Sequence, residues 1–319
     1  MSTLDVRTAR VYLRLSITDA CNLRCRYCRP GSGGAPPQGP AASDDELVEL
    51  VRAVDAEVGL SKLRFTGGEP LMYAGLLPLV RRLRAALPNV RLALTTNGTL
   101  LAGLADELRA AGITAINVSL DSVAADRFRQ WTGGAVEDAL QGIAATVAAG
   151  FEQLKINTVL IRRCNGDALP ELVRFAATHG GEIRFIELMP CGQGAALFES
   201  DFMPADEALG AILDAFAYLG PEPATGTAQR HRFLVGDHEV VVGMITPVSH
   251  PFCSRCDRLR LDRRGRLTAC LRCEGHVGLL PALRDGGAEA VRGLVRETLG
   301  AKRLPGDHWP RRAMVAIGG

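Results

Sequence analysis

Three cysteines near the N-terminus carry the most specific chemistry in the sequence. Cys21, Cys25 and Cys28 are spaced C-x3-C-x2-C. Thiolates this close on one loop can converge on a single metal centre, and three of them on a four-iron cubane leave one iron open to a substrate. The alternative is zinc, but zinc normally takes four ligands in paired C-x2-C spacing, and no obvious fourth ligand lies nearby. The spacing, with Tyr27 before the third cysteine, therefore predicts an iron–sulfur cluster.

A second cysteine group lies close to the C-terminus. Cys253, Cys256 and Cys270 are spaced C-x2-C-x13-C, and Cys273 follows in a further C-x2-C spacing. Four cysteines in two C-x2-C pairs are typical of a zinc ribbon. Spacing alone therefore favours zinc slightly at this position, and a second cluster with three cysteine ligands stays open.

The elements that position the first group form a βα alternation from residue 11 to about residue 190. Repeated βα units predict a parallel sheet or partial barrel, in which ligands lie at the carboxyl ends of the strands. The predicted strands are Val11–Thr18, Lys62–Thr66, Val90–Thr95, Ala115–Leu120, Leu154–Leu160 and Ile183–Leu188, and the predicted helices are Asp44–Val58 with Ser43 as N-cap, Gly75–Leu87, Gly103–Ala111 and Asp167–His179.

Length and composition fit one large domain with a smaller appendage. The chain has 319 residues, of which 47% are hydrophobic, and a formal net charge of +2. That charge is too small to indicate nucleic acid or a membrane surface as partner. The sequence shows neither a signal peptide nor an apolar run long enough to span a membrane, so a cytoplasmic protein is expected. Nine cysteines in a reducing compartment favour metal binding over disulfides.

The first cysteine group and its surroundings resemble the radical S-adenosylmethionine (SAM) superfamily. The resemblance implies a 4Fe–4S cluster whose open iron binds SAM, and a partial (β/α)6 TIM-like barrel. The segment RFTGGEP, Arg64–Pro70, supports it. Its glycines let backbone approach a ligand closely, and the carboxylate of Glu69 is expected to bind the ammonium of SAM.

Motifs along nearly the whole chain resemble the GTP 3′,8-cyclase family of molybdenum cofactor biosynthesis. They include LRLSITDACNLRCRYC, RFTGGEPLM, LTTNG, INVSLD, IRFIELM, FCSRCDRLRL and the terminal Gly318–Gly319. The resemblance implies that GTP is converted to (8S)-3′,8-cyclo-7,8-dihydroguanosine 5′-triphosphate. It also implies a second 4Fe–4S cluster, held by Cys253, Cys256 and Cys270, whose open iron contacts GTP.

The family's contacts carry over by position, as expectations. SAM would meet Tyr27, Gly68, Glu69, Ser119 and Met189. GTP would meet Arg14, Lys62, Arg64, Thr95, Lys155, Arg184, Arg258, Leu259 and Arg260. A triphosphate carries about four negative charges and needs cations that converge from several strands, which these residues supply. No side chain is expected to act as a catalytic group of its own, because the radical arises on the cofactor; the tail residues Gly318 and Gly319 are expected to assist.

Two domains are predicted, a radical SAM core at residues 5–219 and a C-terminal auxiliary-cluster domain at residues 220–319. The expected partners are GTP, an external electron donor, the synthase that makes cyclic pyranopterin monophosphate, and a second copy of the chain in a homodimer. Two alternatives stay open: a radical SAM peptide maturase with an auxiliary cluster, and a non-catalytic zinc-binding protein.

Overall fold

Apolar residues recur at every second position of the barrel strands and decide which face of each strand is buried. In β1 (Val11–Ser16), Leu13 and Leu15 are buried in the core, whereas Tyr12 and Arg14 lie on the opposite face and line a central cavity. The period of two along a strand produces this division. The structure, a computed structural model, describes residues 11–28, 40–272, 275–300 and 309–310.

The described elements follow one another as alternating strands and helices, with hairpins and a long helix towards the C-terminus. They are β1 Val11–Ser16, α1 Asp44–Val58, β2 Leu60–Thr66, α2 Leu76–Ala86, β3 Arg91–Thr96, α3 Ala105–Ala110, β4 Ala115–Ser119, α4 Ala125–Thr132, α5 Val136–Ala148, β5 Gln153–Leu160, α6 Arg162–Asn165, α7 Leu169–Thr178, β6 Glu182–Glu187, α8 Gly194–Asp201, α9 Ala205–Ala215, β7 Ala217–Thr225, β8 Ala228–Val235, β9 His238–Ile245, β10 Arg258–Asp262, β11 Arg266–Thr268, β12 Val277–Gly278 and α10 Leu279–Gly300.

Strands β1 to β6 lie side by side in chain order and are parallel throughout. This confirms the partial (β/α)6 barrel. The sheet continues beyond both ends of that barrel: β10 pairs with β1 and β9 pairs with β6, each in parallel. Antiparallel hairpins then extend it, so that the twelve described strands form one sheet.

The C-terminal segment is joined to the barrel by this sheet and by α10. The helix on either side of Gly287, whose φ is 66°, packs near α1. Arg284 pairs with Glu46 and Arg296 pairs with Glu57, both at 2.7 Å. The predicted domain boundary between residues 219 and 220 falls within β7, and the division into two domains stays a prediction.

Local capping explains where α1 begins. The main-chain N–H of Glu46 donates to Oγ of Ser43 at 3.1 Å, and the N–H of Ser43 donates to Oε2 of Glu46 at 2.7 Å. This reciprocal arrangement satisfies two donors at the start of the helix and confirms Ser43 as the predicted N-cap. None of the helices in the described ranges combines the length and apolar character needed to cross a bilayer.

Candidate functional site

Both cysteine groups face the same cavity. The first triad (Cys21, Cys25 and Cys28) and the second triad (Cys253, Cys256 and Cys270) line a space of about 340 Å³ on the inner face of the barrel. All six thiols are half-buried. Cys273, Gly318 and Gly319 lie outside the described residues. Two thiol triads that the sequence places more than 200 residues apart thus meet at one site.

The turn after β2 holds the loop of the first triad in place. The N–H of Gly68 donates to the carbonyl of Thr18 at 2.8 Å, and that of Glu69 donates to the carbonyl of Ala20 at 2.7 Å. A Cβ at position 68 would lie 2.2 Å from the Ala20 oxygen. Only glycine permits so close an approach of the two backbones.

Glu69 belongs to this scaffold rather than to the cavity wall. It is 1% exposed, and its carboxylate accepts bonds from the Thr96 hydroxyl at 2.7 Å and from the N–H groups of Asn97 and Leu71 at 2.7 and 3.1 Å. Burial raises its pKa to about 6. Its oxygens fix the turn against β3, and Glu69 is not among the described residues that line the cavity, so its contact with SAM stays a prediction.

The other four residues predicted to meet SAM do line the cavity: Tyr27, Gly68, Ser119 and Met189. The Tyr27 hydroxyl donates to Oδ2 of Asp121 at 2.8 Å. Beside it, the N–H of Leu23 donates to Sγ of Cys21 at 3.4 Å. Such N–H···S bonds stabilise the negative charge of a thiolate ligand.

The second triad is held by a buried carboxylate at the end of β6. Glu187 is fully buried and accepts from the N–H groups of Val248 and Ser249, both at 2.9 Å, from that of Ala205 at 3.0 Å and from the Ser249 hydroxyl. These bonds fix the segment that runs into the short 3₁₀ turn Cys253–Arg255. Four donors compensate for the burial of its charge.

Thiols of the second triad lie near one another, as their electrostatics show. The pKa of Cys253 is raised first by burial and then by Cys270. The N–H of Arg272 donates to Sγ of Cys270 at 3.4 Å, the same type of bond that Cys21 receives. In the described ranges, no three His, Cys, Asp or Glu side chains are grouped as they would be around a single metal ion.

Arginines stand side by side on the three neighbouring strands between the triads. Arg14 of β1 is in register with Arg260 of β10 on one side and Arg64 of β2 on the other. Like charges directly opposite each other in a sheet are destabilising. Arg64 is 2% exposed and is oriented by bonds to the carbonyl of Leu94 at 2.7 Å and Oγ1 of Thr95 at 3.1 Å. The repulsion between these guanidinium groups lowers the stability of the sheet, which indicates that the row serves to bind an anionic ligand.

The charge balance of the cavity is strongly positive. Two carboxylates line it, Asp121 and Glu187, against seven cationic side chains: Arg14, Lys62, Arg64, Arg184, Arg258, Arg260 and Arg272. Burial, and then neighbouring cations, lower the pKa of Lys62 to about 6. Burial is also the largest cause that lowers the pKa of Arg14 to about 9 and of Arg260 to about 10. The described wall is built for a polyanion.

Two residues predicted to meet GTP are placed elsewhere. Lys155 is 5% exposed and lies below the cavity, paired with Glu182 at 3.0 Å. Arg184, which does line the cavity, shares that carboxylate at 2.5 Å. Leu259 points away from the cavity because it alternates with Arg258 and Arg260, and its side chain is fully buried in the core. Only its main chain is left for a ligand.

Several lining residues were not predicted from the sequence. The phenol of Tyr12 lies among the arginines: burial raises its pKa, but Arg64, Arg14 and Arg258 together outweigh burial and lower it. Asn117 and Asn157 each present a buried Oδ1 that has no hydrogen-bond partner among the described residues. The alternation of β1, β4 and β5 could have revealed all three, since each shares a face with a predicted site residue.

The residues present fit two 4Fe–4S clusters with SAM and a phosphorylated ligand between them. Each triad offers three half-buried thiols, an N–H···S bond and a wall of the shared cavity. Orphaned acceptors at Asn117 and Asn157 suit hydroxyl or amine donors of a ligand.

Two family models match the chain, one after the other. Residues 15–176 match the Radical SAM superfamily. Residues 181–306 match Molybdenum Cofactor Synthesis C. The first match contains the first triad and the second match contains the second triad.

Curated relatives match over almost the full length. A GTP 3′,8-cyclase from Moorella thermoacetica is 41% identical over 322 residues, which cover 97% of each chain. One from Streptomyces coelicolor is 37% identical over 319 residues, 96% of this chain and 93% of that protein. A third, from Pelotomaculum thermopropionicum, is 40% identical over 320 residues and covers 97% of both.

Among solved structures, the fold resembles that of Streptococcus suis SuiB bound to precursor peptide SuiA. The TM-score is 0.63 at 13% identity, and the match covers 89% of this chain and 66% of that one. At this identity the likeness concerns the fold alone.

Proposed function

The chain belongs to the GTP 3′,8-cyclase family of the radical SAM superfamily, and from that premise we propose how its cavity performs the reaction. It is a radical SAM lyase that converts GTP to (8S)-3′,8-cyclo-7,8-dihydroguanosine 5′-triphosphate in molybdenum cofactor biosynthesis, with 4Fe–4S clusters and SAM as cofactors. One observation carries the mechanism: both triads open onto one cavity with a row of arginines between them.

The first triad forms the SAM end of the cavity. Cys21, Cys25 and Cys28 hold the first cluster, and Tyr27, Gly68, Ser119 and Met189 surround SAM. Gly68 lets the backbone of the turn approach the loop of the first triad closely. Glu69 fixes this turn through the bonds that it accepts from Thr96, Asn97 and Leu71, and its contact with the ammonium of SAM stays a prediction.

The second triad and the arginine row form the GTP end. Cys253, Cys256 and Cys270 would hold the second cluster, and its open iron would contact GTP. Cations on β1, β2, β6 and β10 neutralise the triphosphate: Arg14, Lys62, Arg64, Arg184, Arg258 and Arg260. Thr95 orients Arg64 through a hydrogen bond. Lys155 pairs with Glu182, the carboxylate that also binds Arg184. Leu259 contacts GTP through its main chain. Convergent guanidinium groups are the usual solution for phosphate binding.

A cluster held by Cys21, Cys25 and Cys28 would supply the electron for reductive cleavage of SAM, and SAM would supply the radical chemistry that joins C3′ to C8 of GTP. The protein's part is placement. Its two ligand ends fix SAM and GTP in one chamber, so the reacting atoms meet without diffusing. The enclosing strands exclude water, which protects reactive intermediates from side reactions.

Further partners are part of the proposal. An external protein supplies the electron, and the synthase that makes cyclic pyranopterin monophosphate takes the product. A homodimer and a cytoplasmic location are proposed as well; a chain with nine cysteines and clusters suits a reducing compartment. Gly318 and Gly319 are proposed to assist at the GTP end.

The two alternative functions considered from the sequence are not supported. A non-catalytic zinc protein does not fit membership of an enzyme family over 97% of the chain. A peptide maturase is suggested only by fold likeness at 13% identity, whereas the relatives at 37–41% identity are cyclases.

The direct test is anaerobic incubation of the reconstituted enzyme with SAM, a reductant and GTP. We expect 5′-deoxyadenosine and the cyclised GTP product to form together. If 5′-deoxyadenosine forms without any product derived from GTP, radical SAM chemistry stands and the cyclase proposal is wrong.

A further inference from the structure

Asp121 is a carboxylate of the cavity wall that contacts neither GTP nor SAM in the proposed function. Asp121 follows β4 and is 4% exposed. Its two oxygens accept separate bonds, Oδ1 from the N–H of Val159 at 2.9 Å and Oδ2 from the Tyr27 hydroxyl at 2.8 Å. Both partners are neutral donors, and each points a hydrogen at the carboxylate. This geometry fits the ionised form of the acid.

The position of this charge is costly. Burial raises the pKa of Asp121 to about 6, and no ion pair joins it to a cation of the described chain. A buried charge without a counter-ion destabilises the fold. None of the seven cationic side chains of the cavity forms an ion pair with Asp121. Within the described chain, only two hydrogen bonds compensate for the cost of burying its charge.

Asp121 also lies near the first triad. It lines the same cavity as Cys25 and Cys28. The Tyr27 hydroxyl that it binds belongs to the residue between Cys25 and Cys28. Its main-chain oxygen accepts from Nδ2 of Asn165 at 2.9 Å, which fixes the segment from below. The carboxylate is therefore both rigidly held and directed at the cluster loop.

We infer that Asp121 is a positioning residue of the first cluster, which anchors Tyr27 and places a fixed negative charge beside the loop of the first triad. The inference rests on the proposed function, since it assumes a cluster at this triad. One electron enters the cluster from an external one-electron donor protein, and the cluster becomes more negative by one charge. A neighbouring carboxylate opposes that gain and makes the reduced cluster a stronger reductant.

The test compares midpoint potentials of the reconstituted enzyme, without SAM or GTP, in an EPR-monitored redox titration. Asp121→Asn keeps the shape of the side chain and removes its charge, so the potential of the first cluster should shift to a more positive value. Tyr27→Phe removes the hydrogen bond and keeps the carboxylate, so the potential should stay equal or become more negative. Asp126→Asn, an exposed acid on α4, is the matched control and should equal wild type.

Iron content and thermal unfolding of each variant show whether the cluster is intact. An unchanged potential in an Asp121→Asn protein with full iron content would refute the inference. So would a positive shift of the same size in Tyr27→Phe, because that result would assign the effect to the hydrogen bond instead of the charge. If Asp121→Asn does not fold, Asp121→Ser also removes the charge and should give a positive shift; an unchanged potential in that variant would refute the inference as well. The titration contains no GTP, so it gives the same result whether or not the enzyme proves to be a cyclase.

Discussion

Cations dominate the cavity at the scale of single residues, and Lys62 shows the effect most clearly. Its ammonium lies 5.3 Å from the centre of the Tyr12 ring and is surrounded by other cations. A lysine whose pKa is about 6 is mostly neutral at pH 7.5. A bound triphosphate favours the charged form and raises that pKa again. Binding must then be coupled to proton uptake.

GTP binding at pH 7.5 is therefore expected to take up protons, approaching one per GTP from Lys62. Affinity should fall as the pH rises above about 6, because the lysine must first be protonated. Calorimetry in two buffers of different ionisation enthalpy measures the uptake. Lys62→Met corrects for protons taken up by the nucleotide itself or by Lys155, whose pKa is lowered to about 8. Equal uptake in the variant and the wild type would contradict the assignment.

Residue types and spacing predicted the thiols and most of the cations, because both reflect chemistry that few side chains can supply. They were less informative where the direction of the side chain matters. Glu69 has the right chemistry for an ammonium group but faces β3. Leu259 alternates out of the cavity, and Lys155 lies one layer too deep. Asp121 was visible in INVSLD, but nothing local showed that its carboxylate faces Tyr27.

At the scale of elements, the cavity depends on short contacts between neighbouring turns. The turn that contains Gly68 supports the loop of the first triad through two main-chain bonds. The end of β6 supports the segment before the second triad through Glu187. Each triad is thus placed by one element of the barrel, and each support can be removed separately.

Gly68→Ala should lower iron occupancy at the first triad. The added Cβ would lie 2.2 Å from the Ala20 oxygen, so the two backbones must move apart. Overpacking of this kind costs about 1–3 kcal/mol. Iron content per chain and thermal unfolding measure the effect. Gly103→Ala is the control, because a Cβ there meets no atom within 4 Å; similar losses in both variants would show that the turn has no special role.

Glu187→Ala should instead weaken the second cluster. Removing the carboxylate leaves buried donors from Ala205, Val248 and Ser249 without their acceptor, at about 1–3 kcal/mol for each unpaired group. We expect iron to fall from about eight towards about four per chain, the content of one cubane. The first cluster should still cleave SAM. Loss of iron from the first triad would show that Glu187 supports the barrel as a whole.

Element boundaries in the barrel were predictable because apolar periodicity and turn residues are local signals. The six predicted strands and the helix Asp44–Val58 occur as expected. The pairing of β10 with β1 and of β9 with β6 was not predictable, since it depends on contacts between distant parts of the chain. Helix α10 was missed because its glycine-rich centre at Gly287 interrupts the apolar pattern.

For the whole molecule, one strand pairing brings the two ends of the chain together. Because β10 lies parallel to β1, Arg258 and Arg260 join Tyr12 and Arg14 on one wall. The segment that contains Cys253 and Cys256 precedes β10, and the loop of the first triad follows β1. This pairing therefore helps to bring both triads to one cavity.

The central claim is that a radical formed at the first triad reaches GTP inside this cavity. The most direct measurement uses GTP deuterated at C3′, with anaerobic turnover followed by mass analysis of the 5′-deoxyadenosine. We predict that 5′-deoxyadenosine gains one deuterium in step with product formation. Unlabelled 5′-deoxyadenosine, formed at the same rate with deuterated GTP, would contradict the account.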